Sequence, residues 1–128
     1  MIGYATLGTN DLDTALTFYD ALLATAGGKR LMQMPDERKL TFYGAGADKP
    51  MLVIGRPYDG AAATAGNGTM VALAADSREQ VDQVYAKAIE LGGADEGGPG
   101  SRGPEQMGFY GAYFRDPDGN KLCVFKMG

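Results

Sequence analysis

Tyr4-Ala5-Thr6-Leu7-Gly8-Thr9-Asn10-Asp11 runs from an alternating apolar stretch into small and acidic residues. It has a counterpart 66 residues on, in Met70-Val71-Ala72-Leu73-Ala74-Ala75-Asp76-Ser77. At that offset Leu7 falls on Leu73, Asn10 on Asp76 and Tyr19 on Tyr85. Each stretch leads into a helical pattern stopped by a glycine pair, Gly27-Gly28 and Gly92-Gly93. Further on the offset becomes 70: residues 48–54 line up with 118–124, and Tyr43 meets Tyr113. Identity between the copies is weak, but the order and spacing of their elements agree over nearly the whole chain. The sequence therefore reads as one domain over 1–128, with repeat one at about 1–57, a linker at about 58–68 and repeat two at about 69–127.

Within each copy the order is strand, helix, then strands. Residues 2–8 alternate as a half-buried strand does. Asn10 is the expected N-cap of the first helix, with Asp11 and Asp13 meeting the positive end of its dipole. Leu12, Ala15, Leu16, Tyr19, Leu22 and Leu23 then follow the 3.6-residue period. The second helix starts at Asp76 or Ser77, where Ser77 and Gln80 suit a capping box, and its stripe is Val81, Val84, Tyr85, Ala88 and Ile89. Further strands are expected at 30–34, 39–44, 51–55, 109–115 and 121–126. Asp116-Pro117-Asp118-Gly119 has Pro second and Gly last, which predicts a turn joining the final two strands as a hairpin. The Gly-rich stretches 56–69 and 92–108 show neither period and read as loops.

Composition narrows the function. The chain has 128 residues, 12 Lys+Arg against 16 Asp+Glu, one Cys and no His. A net charge of −4 argues against nucleic acid as partner, since such binders carry a basic footprint. No apolar run reaches the roughly 20 residues of a membrane helix, so no membrane partner is expected. A single Cys, with no basic, cleavable N-terminal segment, points to the cytoplasm. The absence of His removes the commonest general base near neutral pH and the commonest transition-metal ligand.

Three stretches carry a family resemblance. They are Thr6 to Leu12 leading to Phe18-Tyr19, Ser77 to Val81 leading to Gly92-Gly93, and Tyr113-Phe114-Arg115-Asp116-Pro117-Asp118-Gly119-Asn120-Lys121-Leu122. Together with the repeat they resemble the vicinal oxygen chelate superfamily, which contains glyoxalase I, the extradiol dioxygenases and the bleomycin-resistance proteins. The resemblance implies an α+β fold of two βαβββ repeats, their sheets forming half-barrels around a cleft with helices on the outer face. It also implies a homodimer, with the cleft formed within one chain or between two. Metal-using members hold one ion with two side chains from each copy. On this chain those four positions are Tyr4, Val53, Met70 and Cys123, and none keeps its usual His or Glu.

No metal and no other cofactor is therefore expected. Val53 offers no donor atom, and phenol, thioether and thiol are a poor set for Mg²⁺ or Zn²⁺. The expected ligand-binding residues are Tyr4, Tyr43, Val53, Met70, Tyr113, Cys123 and Phe125, an apolar, aromatic-lined wall for an unidentified small molecule. The same side chains suit a filled half-barrel core equally well. Tyr4, Lys121 and Cys123 are weak catalytic candidates. Tyr4 also reads as a lining aromatic, and Cys123 as a small buried hydrophobe lacking the His that activates a thiol. Met51 reads as adaptable packing. Arg115 sits at the rim, and Arg102 is either a clamp for an anion or a solvated loop cation. Ser101 lacks both a base and a nucleophile elbow. The expected function is metal-free small-molecule binding, most like the bleomycin-resistance type that sequesters a cationic drug. The alternative is a glyoxalase-like lyase, isomerase or dioxygenase with another metal site or Tyr/Lys/Cys acid–base chemistry.

Overall fold

The two copies build two four-stranded sheets on one plan, in a computed structural model that describes residues 1–128. The first copy runs β1 (Tyr4–Gly8), α1 (Leu12–Thr25), β2 (Lys29–Gln33), β3 (Thr41–Gly44) and β4 (Met51–Gly55). The second runs β5 (Val71–Ala74), α2 (Arg78–Glu90), β6 (Ala94–Ser101), β7 (Phe109–Arg115) and β8 (Lys121–Met127), with a short 3-10 turn at Glu105–Met107. Strand order is β1-β4-β3-β2 in one sheet and β5-β8-β7-β6 in the other. In each, the first strand lies parallel to the last and the remaining pairs are antiparallel. The expected α+β architecture of two βαβββ repeats is the one observed.

Helix periodicity decides what is buried. Leu12, Ala15, Leu16, Phe18, Tyr19, Leu22 and Leu23 of α1 and Val81, Val84 and Ala88 of α2 are buried. They pack with Leu7, Tyr43, Leu52, Ile54, Ala112, Phe114, Leu122 and Val124 into one cluster. Each fully buried large aliphatic contributes roughly 1.5–3 kcal/mol. The helices touch each other as well as the sheets, so a single core serves both copies. It leaves the opposite face of each sheet free.

The Asp-Pro-Asp-Gly turn does more than reverse the chain. Asp116 is buried and accepts from Tyr19 Oη at 2.6 Å and from Asn120 Nδ2 at 2.9 Å. Asn120 Nδ2 also donates to the Gly8 carbonyl, and the backbone N–H of Asn10 donates to Asp118. The β7–β8 hairpin is thus stitched to the β1–α1 junction of the other copy. Burial, together with the Asp116 carboxylate, pushes the Tyr19 phenol well above its ordinary pKa, so it stays a donor.

Three local expectations need correction. The N-cap of α1 is Asp11, not Asn10: its carboxylate accepts from Thr14 N at 3.1 Å and Thr14 Oγ1 at 2.7 Å. The Asn10 amide is used elsewhere, exchanging hydrogen bonds with the peptide groups of Ala63. The box at α2 is displaced by one residue. Ser77 accepts from Gln80 N as expected, but Gln80 Oε1 returns to Asp76 N. Finally, residues 94–101 are a strand, not part of a loop. Glycines disfavour strands, yet this is an edge strand where Pro99 costs little, and two register shifts against β7 absorb the irregularity. Ser101 ends that strand.

Candidate functional site

Cross-strand partners share a face of the sheet, so the pairing defines the free faces. In the first sheet, one row crosses from Thr6 through Val53 and Phe42 to Met32. In the second, the corresponding row is Ala72, Cys123, Tyr113 and Gly97. The core takes the alternate residues, which assigns Tyr4, Val53, Cys123, Phe125 and Tyr113 to the free face, as alternation predicts. Met70 precedes β5 with the same parity.

Tyr43 is on the other side. It belongs to the core cluster, its ring centroid is 6.3 Å from that of Tyr19, and its hydroxyl donates to Asp20 at 2.7 Å. Asp20 in turn takes a forked pair of bonds from Arg30 at 2.7 and 2.8 Å. Burial first, then the Asp20 carboxylate, raises the Tyr43 phenol far above its ordinary value. The residue that occupies the expected place is Phe42. The reason is loop length: Phe42 pairs with Val53 and Tyr113 with Cys123, so the first hairpin is one residue longer than the second. A one-residue slip flips a strand's faces, and a single offset of 70 cannot serve both sides of that loop.

The free face of the first sheet is apolar. Tyr4 lies on its edge strand, 56% exposed, and meets Phe42 edge-to-face at 5.4 Å. Val53 is fully buried, whereas Met70 on the other sheet is 44% exposed. Met32 and Met127 share the free faces and are about half exposed.

The second sheet differs. Phe125 stacks on Phe109 at 5.6 Å, and beside them lies a polar group around Tyr113. The Arg102 guanidinium sits 5.0 Å from the Tyr113 ring centroid and Lys121 Nζ sits 5.5 Å from it. Arg102 is anchored by carbonyls: Nη2 donates to Gly98 at 2.6 Å, and Nη1 donates to Gly100 and Gly111. Gly97, at φ +145°, makes room, since a Cβ there would lie 3.0 Å from Nη2. Arg115 is committed to Glu96 at 2.5 Å and to the Gly119 carbonyl. Cys123 is buried, and burial pushes its thiol above the ordinary value against the pull of Tyr113, Arg102 and Lys121. A protonated, buried thiol is a poor nucleophile.

A metal does not fit the four family positions. Val53 has no donor, Cys123 is a buried thiol, and Tyr4 and Met70 are exposed on edge segments of different sheets. No group of three or more Cys, Asp or Glu side chains gathers anywhere with ligand spacing. Two shallow depressions, about 280 and 500 Å³, flank α1 and contain none of the expected site residues.

Comparison with known proteins agrees with the fold. No curated protein matches the chain. Among solved structures, a glyoxalase/bleomycin resistance protein from Albidiferax ferrireducens T118 is 38% identical over 98% of both chains, with a TM-score of 0.85. A lactoylglutathione lyase from Agrobacterium tumefaciens is 27% identical, over 98% of this chain and 92% of its own, with a TM-score of 0.68. A glyoxalase/bleomycin resistance protein/dioxygenase family enzyme from Burkholderia phytofirmans PsJN is 18% identical over 98% of both, with a TM-score of 0.75, a likeness of fold. A family model described as Glyoxalase/Bleomycin resistance protein/Dioxygenase superfamily matches residues 1–124. The chain, with its two βαβββ copies and its Asp-Pro-Asp-Gly clasp, belongs to the glyoxalase/bleomycin resistance protein/dioxygenase superfamily.

Proposed function

We propose that the chain is a metal-free, cytoplasmic small-molecule-binding protein that works as a homodimer. The observation that carries this reading is chemical: the four positions that the family resemblance assigns to metal ligands read Tyr4, Val53, Met70 and Cys123, while the surrounding face stays aromatic and thioether-rich. Such walls bind apolar bodies and adapt to their shape. The dimer is supported by where exposed apolar side chains collect. Tyr4, Met32, Met70 and Met127 all share the free faces of the sheets, and exposed apolar side chains on one face suit an interface or a ligand groove. A second copy laid across these faces would turn two open sheets into a closed cleft.

Native mass spectrometry of the freshly purified protein tests the metal-free state, the bound small molecule and the dimer together. The expected result is a dimer carrying no stoichiometric metal and retaining or accepting a small organic molecule. Stoichiometric Ni, Zn, Fe or Mn that survives dialysis would overturn the reading. So would turnover of the methylglyoxal–glutathione adduct at an enzymatic rate, which would favour a lyase instead.

A further inference from the structure

We infer that the free face of the second sheet is a carboxylate-binding subsite, built from Arg102, Lys121 and Tyr113, for a small acid with an apolar body. The inference rests on the small-molecule reading above and names the ligand's chemistry. Arg102 has five N–H donors. Three are occupied by the carbonyls of Gly98, Gly100 and Gly111, which leaves Nε–H and one Nη2–H unpartnered. Those carbonyls fix the guanidinium in place without neutralising it, since none carries a formal charge. Neither Arg102 nor Lys121 forms an ion pair. The nearby carboxylate, Glu96, is already taken by Arg115 at 2.5 Å. Two cations outside any ion pair thus flank one ring, with Glu96 close enough to feel the charge of Lys121, in a chain whose net charge is −4.

The arrangement is built, not incidental. Gly97 and Ala72 keep the face around Tyr113 and Cys123 low, and Gly97 is where a side chain would collide with Arg102, while the Phe109 ring lies over Gly111. Ordered, partly desolvated guanidinium donors favour planar carboxylates, which take two N–H bonds at once. From this cationic end the face turns apolar along β8. Phe125 and Met127 follow Cys123 at the same parity, each step about 6–7 Å, so an acid with a body of one ring or a short chain spans both ends. A cationic ligand meets repulsion from both Arg102 and Lys121. The drug-sequestering analogy is not the one this face supports.

Isothermal titration of the purified protein with 4-phenylbutyrate, its neutral amide and 4-phenylbutylamine tests this. The acid should bind at least tenfold more tightly than the amide, and the amine least. Raising salt from 50 to 500 mM should weaken only the acid. Arg102→Gln and Lys121→Gln should each lower affinity for the acid about tenfold. Lys121→Gln leaves every β6 anchor intact, so its effect separates lost charge from lost folding. Equal binding of acid and amide, or an unchanged affinity in Lys121→Gln and Arg102→Gln, would overturn the subsite while leaving small-molecule binding standing. No binding by any of the three would also overturn it. Stoichiometric metal in the native mass spectrum, or turnover of the methylglyoxal–glutathione adduct, would remove the underlying reading as well.

Discussion

Phe42 and Val53 in the first sheet stand where Tyr113 and Cys123 stand in the second, at the centre of equivalent strands facing the same way. The first pair is hydrocarbon, closed over by the Tyr4 ring. The second is a phenol and a thiol flanked by two cations, with Arg102 returning over the sheet from beyond β6. Both copies follow one plan, but the centre of the free face is packed hydrocarbon in one half and polar in the other. The difference lies in which neighbours are small. Gly97 leaves room beside Tyr113 for a guanidinium, whereas the long side chain of Met32 occupies the place beside Phe42.

That contrast can be broken by experiment. Phe42→Ala removes a nearly buried ring and should cost about 3 kcal/mol in urea-induced unfolding. Tyr113→Ala, at a more open position, should cost about 1 kcal/mol but lower affinity for 4-phenylbutyrate at least tenfold. Equal stability losses would erase the division of labour between the sheets. Tyr19→Phe cuts the buried bond that joins the halves and should cost about 2 kcal/mol, leaving a single cooperative transition. Two resolved transitions would mean that the copies do not share one core.

Smaller effects sharpen the picture. Cys123 should react with a disulfide reagent at least a hundredfold more slowly in the native protein than in urea, because it is buried and held protonated. A rapid native reaction would reopen it as a nucleophile. Burial works to raise the Asp20 pKa, but hydrogen bonds from Arg30 and Tyr43 outweigh it and hold the carboxylate below its ordinary value. A lowered folded pKa stabilises above the unfolded value, 3.8, and that contribution is lost as pH falls below it. After solvent screening it should amount to about 0.5 kcal/mol, read as the part of the loss between pH 5 and 2.5 that is absent in Asp20→Asn.

Much of the fold is legible in local patterns. The two helices, the terminal hairpin and strands such as β4 and β7 follow from periodicity and turn chemistry, which act over a few residues. The edge strand β6 is hidden because Ala94-Asp95-Glu96-Gly97-Gly98-Pro99-Gly100-Ser101 has no strand composition. The repeat nevertheless contained the signal, since β2 moved by 66 residues falls on 95–99. The place of Phe42 is hidden for a related reason. Which of two adjacent residues faces the site depends on hairpin loop length, and neither residue announces it.

The sequence by itself determined the duplicated architecture, because that is a statement about which residue types stand at which spacing; that Tyr4, Val53, Met70 and Cys123 stand in place of metal donors is what the family resemblance implies. Only the tertiary structure decided the cation pair at Tyr113, the burial of Tyr43 against Asp20, and the clasp from Asp116 to Tyr19. Each depends on contacts between residues far apart in the chain or on a strand's register. Such contacts arise from how sheets pair and pack, not from any local preference of the residues that make them.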